Sequence, residues 1–550
     1  MTCGFETWGT LNQDASNAVL VCHAISGDSH AASHDANDQP GWWEELIGPG
    51  KPIDTDHFFV VCPNILGGCR GSTGPQNTPP DSDRPFGAQF PRITIADMVA
   101  VQVRLAKSLG VFCWRAVVGG SLGGHQALTW ATKYPTQVQT CVAIATSARL
   151  SSQSLAFDVI ARNAIQTDPN YQQGQYYGQP HQPSTGLAIA RMMGHITYLS
   201  SQAMDAKFNP DRHDPRQLAT EFEQRFSVGS YLAHQGQKFT QRFDANSYLT
   251  ISMAMDLFDL GSTQEQLVAT LGKASCDFLV VSFSSDWLFP PKQSRDIVDA
   301  LVKLKKQVTY AEITTDSGHD GFLLKHELEQ FGPLVSAKLG NTIQRESTLR
   351  PDDELILDLI PRNASVLDLG CGSGEILASL RDLGHQNLVG VDVQQARIIA
   401  AASRGLEILD YDLNKGLPGF ADQQFDFVVL SATLQAVGNI SVLFEEMLRV
   451  GKRVIVSFSN FAYKALREDY VARGRSPRAP GQYDYEWFNT PNRRFPSIAD
   501  VQDLCRIKNA TIHQSVFLDN NTGSEISPDD DPNLNADTAI LVVSSNAAAS

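Results

Sequence analysis

The residue best placed to do chemistry is Ser121, in the run Val-Val-Gly-Gly-Ser-Leu-Gly-Gly of residues 117–124. An apolar run precedes this Gly-x-Ser-x-Gly motif, and a helical pattern around Ala127 and Trp130 follows it, which is the layout of a nucleophile elbow. Such a tight strand-to-helix turn exposes the hydroxyl at a helix N-terminus, where peptide dipoles favour developing negative charge. A glycine-rich turn is the alternative. The flanking elements favour a nucleophile, with the Leu122 amide as one oxyanion donor.

A serine hydroxyl becomes a good nucleophile when an imidazole takes its proton and a carboxylate fixes the tautomer of that imidazole. Two later strand ends supply these groups in the order Ser, Asp, His that is typical of α/β-hydrolases. Asp286 follows a predicted strand over residues 278–285, and His319 follows the next one. A helix N-cap and a loop histidine are the simpler interpretations, but three matching strand ends favour a catalytic triad. A second oxyanion donor is expected from the loop after His23, at the Ile25 amide, with His23 itself structural.

These side chains need a parallel sheet to bring them together. Continuous apolar strands alternate with helical patterns through residues 1–340, which indicates a sheet covered on both faces. Right-handed crossovers place the strand C-termini along one edge. The predicted strands are residues 18–24, 58–66, 116–119, 140–145, 278–283 and 308–313. The fold class is therefore α/β, an α/β-hydrolase domain in which the polar, helical residues 151–261 form a lid over the catalytic edge. An independent small helical domain is the alternative for that insertion.

Composition bounds the remaining possibilities. The 550 residues suffice for two or three domains, and 42% apolar with 19% charged residues suits buried cores. A net charge of −16 argues against nucleic acid or an anionic membrane as partner. The nine cysteines have no zinc-ligand spacing, so we expect core thiols of a reducing compartment and no metal. With no signal sequence and no apolar run of about 18 residues, a soluble cytoplasmic protein is expected.

A second α/β series begins at Ser365, after a polar stretch of residues 341–353 that we interpret as a linker. Its first strand runs into the glycine-rich turn of residues 368–374, where the backbone can approach a ligand closely. The next strand ends in Asp392, placed to bind both hydroxyls of a ribose, and Asp412 follows the third strand, where adenine contacts are usual. The candidate cofactor-binding residues are Asp368, Gly370, Gly372, Gly374, Asp392 and Asp412. A dinucleotide Rossmann site is the alternative.

Longer motifs across residues 1–335 resemble the homoserine O-acetyltransferase (MetX) family. They are the Gly-x-Ser-x-Gly stretch and residues 23–28, 41–43, 47–50, 66–75, 190–198, 242–248 and 318–320. The resemblance implies ping-pong acyl transfer, in which His319 deprotonates Ser121, the serine attacks an acyl-CoA thioester, and L-homoserine then takes the acyl group. It also implies a homodimer. Family members usually carry a further strand or two before the region of Phe5, so we expect a missing edge hairpin or a mis-assigned start.

Substrate residues follow from the same resemblance. It assigns Arg191 to the homoserine carboxylate and Asp320 to the homoserine amine, which suits a bidentate guanidinium and an anion beside His319. A salt bridge in the lid is the alternative for Arg191, and support of the histidine is the alternative for Asp320. Relatives that use succinyl-CoA typically carry an arginine shortly after the triad aspartate, where this chain has Leu288. An unpaired succinyl carboxylate would be costly there, so acetyl-CoA is the predicted donor. A succinyltransferase and a serine ester hydrolase are the alternatives.

The second series also carries a resemblance. The Asp-Leu-Gly-Cys-Gly-x-Gly form of residues 368–374 is similar to the signature of class I S-adenosylmethionine-dependent methyltransferases. Residues 430–437, 447–451 and 456–461 resemble the methionine-biosynthesis protein MetW, which makes residues 354–545 a MetW-like domain. The resemblance implies S-adenosylmethionine as a possible ligand. No catalytic base stands out in the second domain. Our hypothesis is therefore that this domain senses a ligand for the first domain or acts as its partner.

Overall fold

The computed structural model describes residues 1–208, 227–342, 349–476, 486–520 and 522–546. The chain divides into two compact units, Met1–Asn341 and Thr342–Ser550. Each unit contains a mostly parallel sheet flanked by helices, because the strands are short apolar runs buried on both faces. The predicted α/β class is confirmed for both units. No helix in the described ranges is long and apolar enough to cross a bilayer. The nine cysteines all lie in those ranges as free thiols.

The sheet of the first unit is organised around its central strands. The strands are β1 Phe5–Trp8, β2 Ala18–Cys22, β3 Ile47–Gly48, β4 Ile53–Asp54, β5 Phe59–Pro63, β6 Ala116–Gly120, β7 Thr140–Ile144, β8 Asp277–Phe283 and β9 Val308–Ile313. The order is β1-β5-β2-β6-β7-β8-β9, with β1 antiparallel to β5 and the other neighbours parallel, while β3 and β4 pair separately. The chain moves outward from β2 to β5 and then returns to β6 on the other side of β2. The switch point therefore lies between β2 and β6, where a site is expected.

Helices cover this sheet and fill its insertion. They are α1 Ile95–Ser108, α2 Leu122–Lys133, α3 Ser152–Gln166, α4 Ser184–Tyr198, α5 Ser201–Phe208, α6 Ser227–Thr240, α7 Ala245–Asp256, α8 Gln264–Leu271, α9 Pro291–Lys303 and α10 Lys325–Lys338. The helices α3 to α7 occupy the insertion between β7 and β8 that was predicted as a lid, and α4 packs against both α3 and α6. Residues 209–226, inside the predicted lid, lie outside the described residues.

The second unit repeats the parallel plan with an antiparallel extension. Its strands are β10 Val366–Leu369, β11 Leu388–Asp392, β12 Glu407–Asp410, β13 Phe425–Ser431, β14 Gly451–Ser459, β15 Ala510–Asp519, β16 Ser524–Glu525 and β17 Thr538–Ser545. The order within the unit is β12-β11-β10-β13-β14-β17-β15-β16, parallel from β12 to β14 and antiparallel beyond. Its switch point lies between β10 and β13, beside the glycine-rich turn.

The helices of the second unit are α11 Pro351–Leu359, α12 Glu375–Asp382, α13 Gln395–Ser403, α14 Ile440–Val450, α15 Lys464–Arg473, α16 Ile498–Ile507 and α17 Pro532–Asn535. Helix α11 begins inside the residues predicted as a linker. Its start is favoured by Pro351 at the first helical position and by three acidic residues in the first turn, which interact well with the helix dipole. The polar residues that suggested a linker are therefore in part a helix N-terminus.

Candidate active site

Ser121 lies between β6 and α2, at the turn where the sequence predicts a nucleophile elbow. Its φ of 57° and ψ of −123° lie outside the regions that non-glycine residues prefer, a strain of about 1–3 kcal/mol that surrounding contacts must hold. The turn requires its glycines, because a Cβ at Gly119 would lie 2.2 Å from the backbone of Gly123. A Cβ at Gly123 would lie 2.0 Å from the carbonyl oxygen of Cys22. The Ser121 amide donates to the Ile144 carbonyl at 2.9 Å, which secures the turn to β7.

The structure brings the three predicted triad residues into one hydrogen-bonded chain. The Oγ of Ser121 lies 2.9 Å from Nε2 of His319, and Nδ1 of His319 lies 2.8 Å from Oδ2 of Asp286. All three are buried, with exposures of 5%, 2% and 3%. The other carboxylate oxygen of Asp286 accepts from the amides of Leu288 and Phe289 at 3.0 and 2.8 Å. Asp286 therefore has a fixed orientation, and it fixes the tautomer of His319 with the proton on Nδ1.

The charges around the triad raise the pKa of His319. Burial alone would lower the pKa of His319, but the charge of Asp286, its hydrogen bond and the charge of Asp320 outweigh burial, so the pKa lies above the ordinary value of 6.5. Burial raises the pKa of Asp320, while His319 and Arg191 oppose that rise. An imidazole with a raised pKa is a better proton acceptor, although it is neutral over a narrower pH range.

The predicted oxyanion donors flank the switch point. Leu122 is the first residue of α2, so its amide has no intrahelical carbonyl to bind. Nδ1 of His23 lies 2.8 Å from the carbonyl of Ala24, and the amide of Ile65 donates to Nε2 of His23 at 3.2 Å. Burial lowers the pKa of His23, which keeps the ring neutral with Nδ1 as donor. Because the Ala24 carbonyl and the Ile25 amide share one peptide plane, His23 sets the direction of the Ile25 N–H.

Two arginines of the insertion converge on the residue after Ile25. Arg191 donates to the Oγ of Ser26 at 3.3 Å, and Arg242 donates to the carbonyl of Ser26 at 2.9 Å. Both guanidiniums lie over the ring of Phe239, at 4.9 and 5.3 Å from its centroid. Arg191 also lies 5.5 Å from the centroid of the Tyr198 ring, and that ring lies 5.9 Å from the His319 ring. The structure thus places Arg191 beside the triad.

The second arginine was missed by reasoning from the sequence, although its motif was noted. Burial and the nearby charge of Arg191 lower the pKa of Arg242. Among the described residues, both guanidiniums contact Ser26 and aromatic rings rather than a carboxylate. Asp320 and Asp28 act on these two cations electrostatically, but no described carboxylate lies in contact with either guanidinium, so a carboxylate ligand could pair with them directly. Spacing along the chain does not reveal this pair, since it forms only when α4 and the end of α6 meet.

A separate cavity lies in the second unit, with a volume of about 580 Å³. Five of the six predicted cofactor residues line it, namely Asp368, Gly370, Gly372, Asp392 and Asp412. The sixth, Gly374, is not among the residues that line it, and its role in binding stays a prediction. Gly374 precedes α12 with a φ of 80°, and a Cβ there would lie 2.4 Å from Cδ1 of Leu406, so it serves the turn and its packing.

Acidic groups dominate this cavity. Burial, together with the charge of Asp353, raises the pKa of Asp368 to about 8 against the opposing charge of Arg350. Asp392 accepts from the Gly372 amide at 3.0 Å through one oxygen, and from the amides of Val393 and Gln394 at 2.8 Å through the other. The carboxylate is therefore held by backbone, with lone pairs left for a ligand.

Comparison with known proteins agrees with the two-unit organisation. Residues 17–326 match the family model described as alpha/beta hydrolase fold, and residues 350–543 match the model described as Methionine biosynthesis protein MetW. A bifunctional methionine biosynthesis protein MetXA/MetW of Rhodopirellula baltica is 63% identical over 98% of this chain and 89% of its own length. A homoserine O-succinyltransferase of Acidithiobacillus ferrooxidans is 47% identical over 62% of this chain and 90% of its own.

Solved structures resemble the first unit. A homoserine O-acetyltransferase from Bacillus anthracis is 29% identical with a TM-score of 0.57, covering 62% of this chain and 93% of its own. A mutant of esterase E22 is 30% identical with the same TM-score of 0.57, covering 62% and 94% of the two chains.

Fold and site together define an α/β-hydrolase with a serine, histidine and aspartate in hydrogen-bonded sequence, joined to a methyltransferase-like MetW domain. The 63% identity over nearly the whole chain specifies the group more narrowly. The chain belongs to the family of bifunctional methionine biosynthesis proteins MetXA/MetW. The predicted resemblances to MetX and to MetW are thereby confirmed.

Proposed function

We propose that the first unit transfers an acyl group from acyl-CoA to the hydroxyl of L-homoserine through an acyl-enzyme on Ser121. The observation that carries the proposal is the Ser121–His319–Asp286 chain of 2.9 and 2.8 Å hydrogen bonds. His319 takes the serine proton as Oγ attacks the thioester carbonyl, and the amides of Ile25 and Leu122 stabilise the oxyanion. The C–S bond then breaks, and the departing thiolate receives the proton from His319.

The second half-reaction reverses these roles. The homoserine hydroxyl gives its proton to His319 and attacks the acyl carbonyl, and the ester of Ser121 breaks as its Oγ is reprotonated. Arg191 holds the homoserine carboxylate, and Asp320 pairs with the ammonium, which its place next to His319 favours. Arg242 adds a second cation on the Ser26 side of the site. An acceptor that is a zwitterion suits this distribution of charge better than water does.

The rival function is ester hydrolysis, because the same triad releases its acyl group to water whenever water reaches it. Likeness to esterase E22 gives this rival its support. We expect CoA release by the full chain to increase at least about tenfold when L-homoserine is added, with O-acylhomoserine as the product by mass spectrometry. CoA release at an equal rate without homoserine would establish a hydrolase instead.

For the donor we propose acetyl-CoA. Leu288 lies two residues after Asp286, half-buried, and its amide donates to the Asp286 carboxylate, so its backbone lies against the triad. A succinyl carboxylate beside this aliphatic side chain would lose hydration without gaining a cation. Succinyl-CoA is the second candidate. Its support is the name of the Acidithiobacillus relative and the presence of Arg242, a cation without a carboxylate contact among the described residues.

A single substitution tests the donor argument. Leu288→Arg should raise the ratio of kcat/KM for succinyl-CoA to that for acetyl-CoA by at least about tenfold, since a guanidinium would pair with the added carboxylate, worth about 1.4 kcal/mol. Steady-state kinetics with both thioesters gives the ratio. Leu288→Met is the matched control, because it keeps the volume and adds no charge. If the unaltered protein already prefers succinyl-CoA, the donor proposal is wrong and Arg242 becomes the first candidate for the second carboxylate.

For the second unit we propose binding of S-adenosylmethionine in the 580 Å³ cavity. The donor set fits this ligand, because Asp392 is anchored beside the glycine turn and Asp412 lines the same cavity. The acidic lining, including Asp392 and Asp412, suits a ligand with a sulfonium and an ammonium. When bound, the ligand would supply an activated methyl group. Asp392 would bind the ribose hydroxyls, and Asp368 would hold the proton that its raised pKa retains.

Calorimetry with the full chain tests this binding. We expect one equivalent of S-adenosylmethionine to bind, and Asp392→Asn to weaken it about tenfold to 100-fold, since hydrogen bonds to a charged acceptor contribute about 1.5–3 kcal/mol. Asp382→Asn, an exposed aspartate of α12, is the matched control. Equal affinities in all three proteins would refute the assignment of Asp392. A sensing role requires in addition that saturating ligand change the acyl-transfer rate of the full chain.

Two further expectations accompany the function. The homodimer implied by the resemblance stays a prediction, which light scattering of the purified protein would test. We place the protein in the cytoplasm, because nine free thiols, six of them buried, suit a reducing compartment.

A further inference from the structure

A group of metal-ligating side chains lies outside the sites described above. It comprises Glu6 on β1 and two histidines of the loop after β2, His30 and His34. Oε2 of Glu6 lies 2.8 Å from Nδ1 of His30 and 3.0 Å from Nε2 of His34. The three side chains are partly exposed, at 28%, 28% and 44%, so an ion in solution could reach them.

The hydrogen-bonding of His30 identifies Nδ1 as its nitrogen that can bind a cation. Nε2 of His30 lies 2.7 Å from the carbonyl of Gln39, and a carbonyl can only accept, so Nε2 carries a proton. In the neutral ring Nδ1 then presents a lone pair to a carboxylate oxygen of Glu6, and two acceptors face each other at 2.8 Å. Either a second proton or a cation must lie between them. His34 presents its Nε2 to the same oxygen, so two histidine nitrogens lie beside Oε2 of Glu6.

The geometry suits a tetrahedral ion. The three ligand atoms lie within 4.8 Å of one another. Zinc binds imidazole nitrogen at about 2.0–2.1 Å and carboxylate oxygen at about 2.0–2.2 Å, which separates neighbouring ligand atoms by about 3.3 Å. Binding would open the 2.8 and 3.0 Å contacts by a few tenths of an ångström and bring the two histidine nitrogens, which lie within 4.8 Å of each other, to about the same spacing. A fourth position remains for water.

Outer contacts orient each ligand as they do in known metal sites. The Oγ of Ser29 donates to the other oxygen of Glu6 at 2.7 Å, which leaves Oε2 for the ion. The Gln39 carbonyl fixes the tautomer of His30. The ring of Trp8 stacks on His34, with centroids 5.0 Å apart and planes within 9°. The orientation of all three ligands is thus set before an ion arrives.

We propose that Glu6, His30 and His34 form a binding site for a divalent transition metal such as Zn²⁺, with two nitrogen ligands, one oxygen ligand and a water. Such an ion would tie the edge strand β1 to the loop that continues from the Ile25–Ser26 region. Two imidazoles and a carboxylate suit Zn²⁺ and other late first-row ions rather than Mg²⁺ or Ca²⁺. Binding displaces any proton held between Glu6 and the histidines, so uptake of the ion should release protons.

Metal titration of the full chain tests the site. After removal of bound metal with a chelator, calorimetry with ZnCl₂ should show one equivalent bound, and Zn²⁺ should raise Tm. His34→Gln and Glu6→Gln should each weaken the affinity at least about tenfold and remove the Tm shift. His57→Gln, an exposed histidine of the same unit, is the matched control and should bind as the unaltered protein does.

Each other outcome overturns the proposal. No uptake by the unaltered chain would mean that a proton alone joins Glu6 to His30. Uptake that survives both His34→Gln and Glu6→Gln would mean that the ion binds elsewhere. Loss on His34→Gln with full retention on Glu6→Gln would indicate histidine-only binding at the surface. Circular dichroism of each variant confirms folding, and His34 is the safest position because it is the most exposed of the three.

Discussion

Ser121→Ala should lower acyl transfer about 10⁴- to 10⁶-fold, the largest effect expected of any substitution in this chain. The loss follows from removing the one atom that forms a covalent bond to the acyl group, while the oxyanion amides and the substrate residues remain. Intact-protein mass spectrometry after mixing with acetyl-CoA should show an added acetyl mass on the unaltered chain and none on the variant. Homoserine-dependent release of CoA measures the rate.

A matched substitution separates this effect from general damage. Ser275→Ala removes an exposed hydroxyl that donates to the Pro135 carbonyl, and it should leave the rate within about twofold of the unaltered protein. Alanine at position 121 also keeps the strained backbone, whose φ of 57° alanine tolerates no better than serine does. If Ser121→Ala retained more than about 1% of the rate, a covalent route through this serine would be excluded.

The parts of the fold that could be predicted are those with a strong local pattern. The elbow at Ser121 could be predicted because its glycines, the strand before it and the helix after it are contiguous in the sequence. The positions of Asp286 and His319 after β8 and β9 were predictable for the same reason, since parallel strands end at one edge. The order Ser, Asp, His at three strand ends was then enough to predict a triad.

Other features were not predicted because their signal in the sequence is weak or involves residues far apart in the chain. Strand β15, Ala510–Asp519, was not predicted, since it lies near the edge of its sheet and does not alternate regularly: the polar residues 513–515 are followed by the apolar residues 516–518. Gly374 has the spacing of a ligand-binding glycine, yet only the structure shows that Leu406 occupies the space beside it. A glycine motif thus does not distinguish a position that faces a ligand from one that permits close packing.

Contacts between elements that are far apart in the chain were the hardest to predict from the sequence. Arg191 and Arg242 meet at Ser26, which precedes them by more than 160 residues. Glu6 joins His30 and His34 only because β1 pairs with β5 beside the loop after β2. Glu6 lies 24 residues before His30, and the sequence analysis expected no metal, so the metal site is a proposal from the structure alone.

Asp286→Asn should lower kcat about 10³- to 10⁴-fold while leaving the backbone of the site intact. An asparagine carbonyl can still accept from the amides of Leu288 and Phe289, which places its NH₂ group toward Nδ1 of His319. A donor there forces the ring into the opposite tautomer, with the proton on Nε2 facing Ser121. In that state His319 cannot take the serine proton, so both half-reactions lose their base.

The pH profile distinguishes this mechanism from a structural defect. In the unaltered protein the acidic limb of kcat/KM should fall at an apparent pKa above 6.5, because the charge of Asp286 and its hydrogen bond raise the pKa of His319 and the protonated ring is inactive. Asp286→Asn removes that charge, so the limb should move to lower pH together with the loss of rate. Asp316→Asn, an exposed aspartate three residues before His319, should move neither quantity. An unchanged limb in Asp286→Asn would mean that another group controls the titration of the base, and the triad assignment of Asp286 would fail.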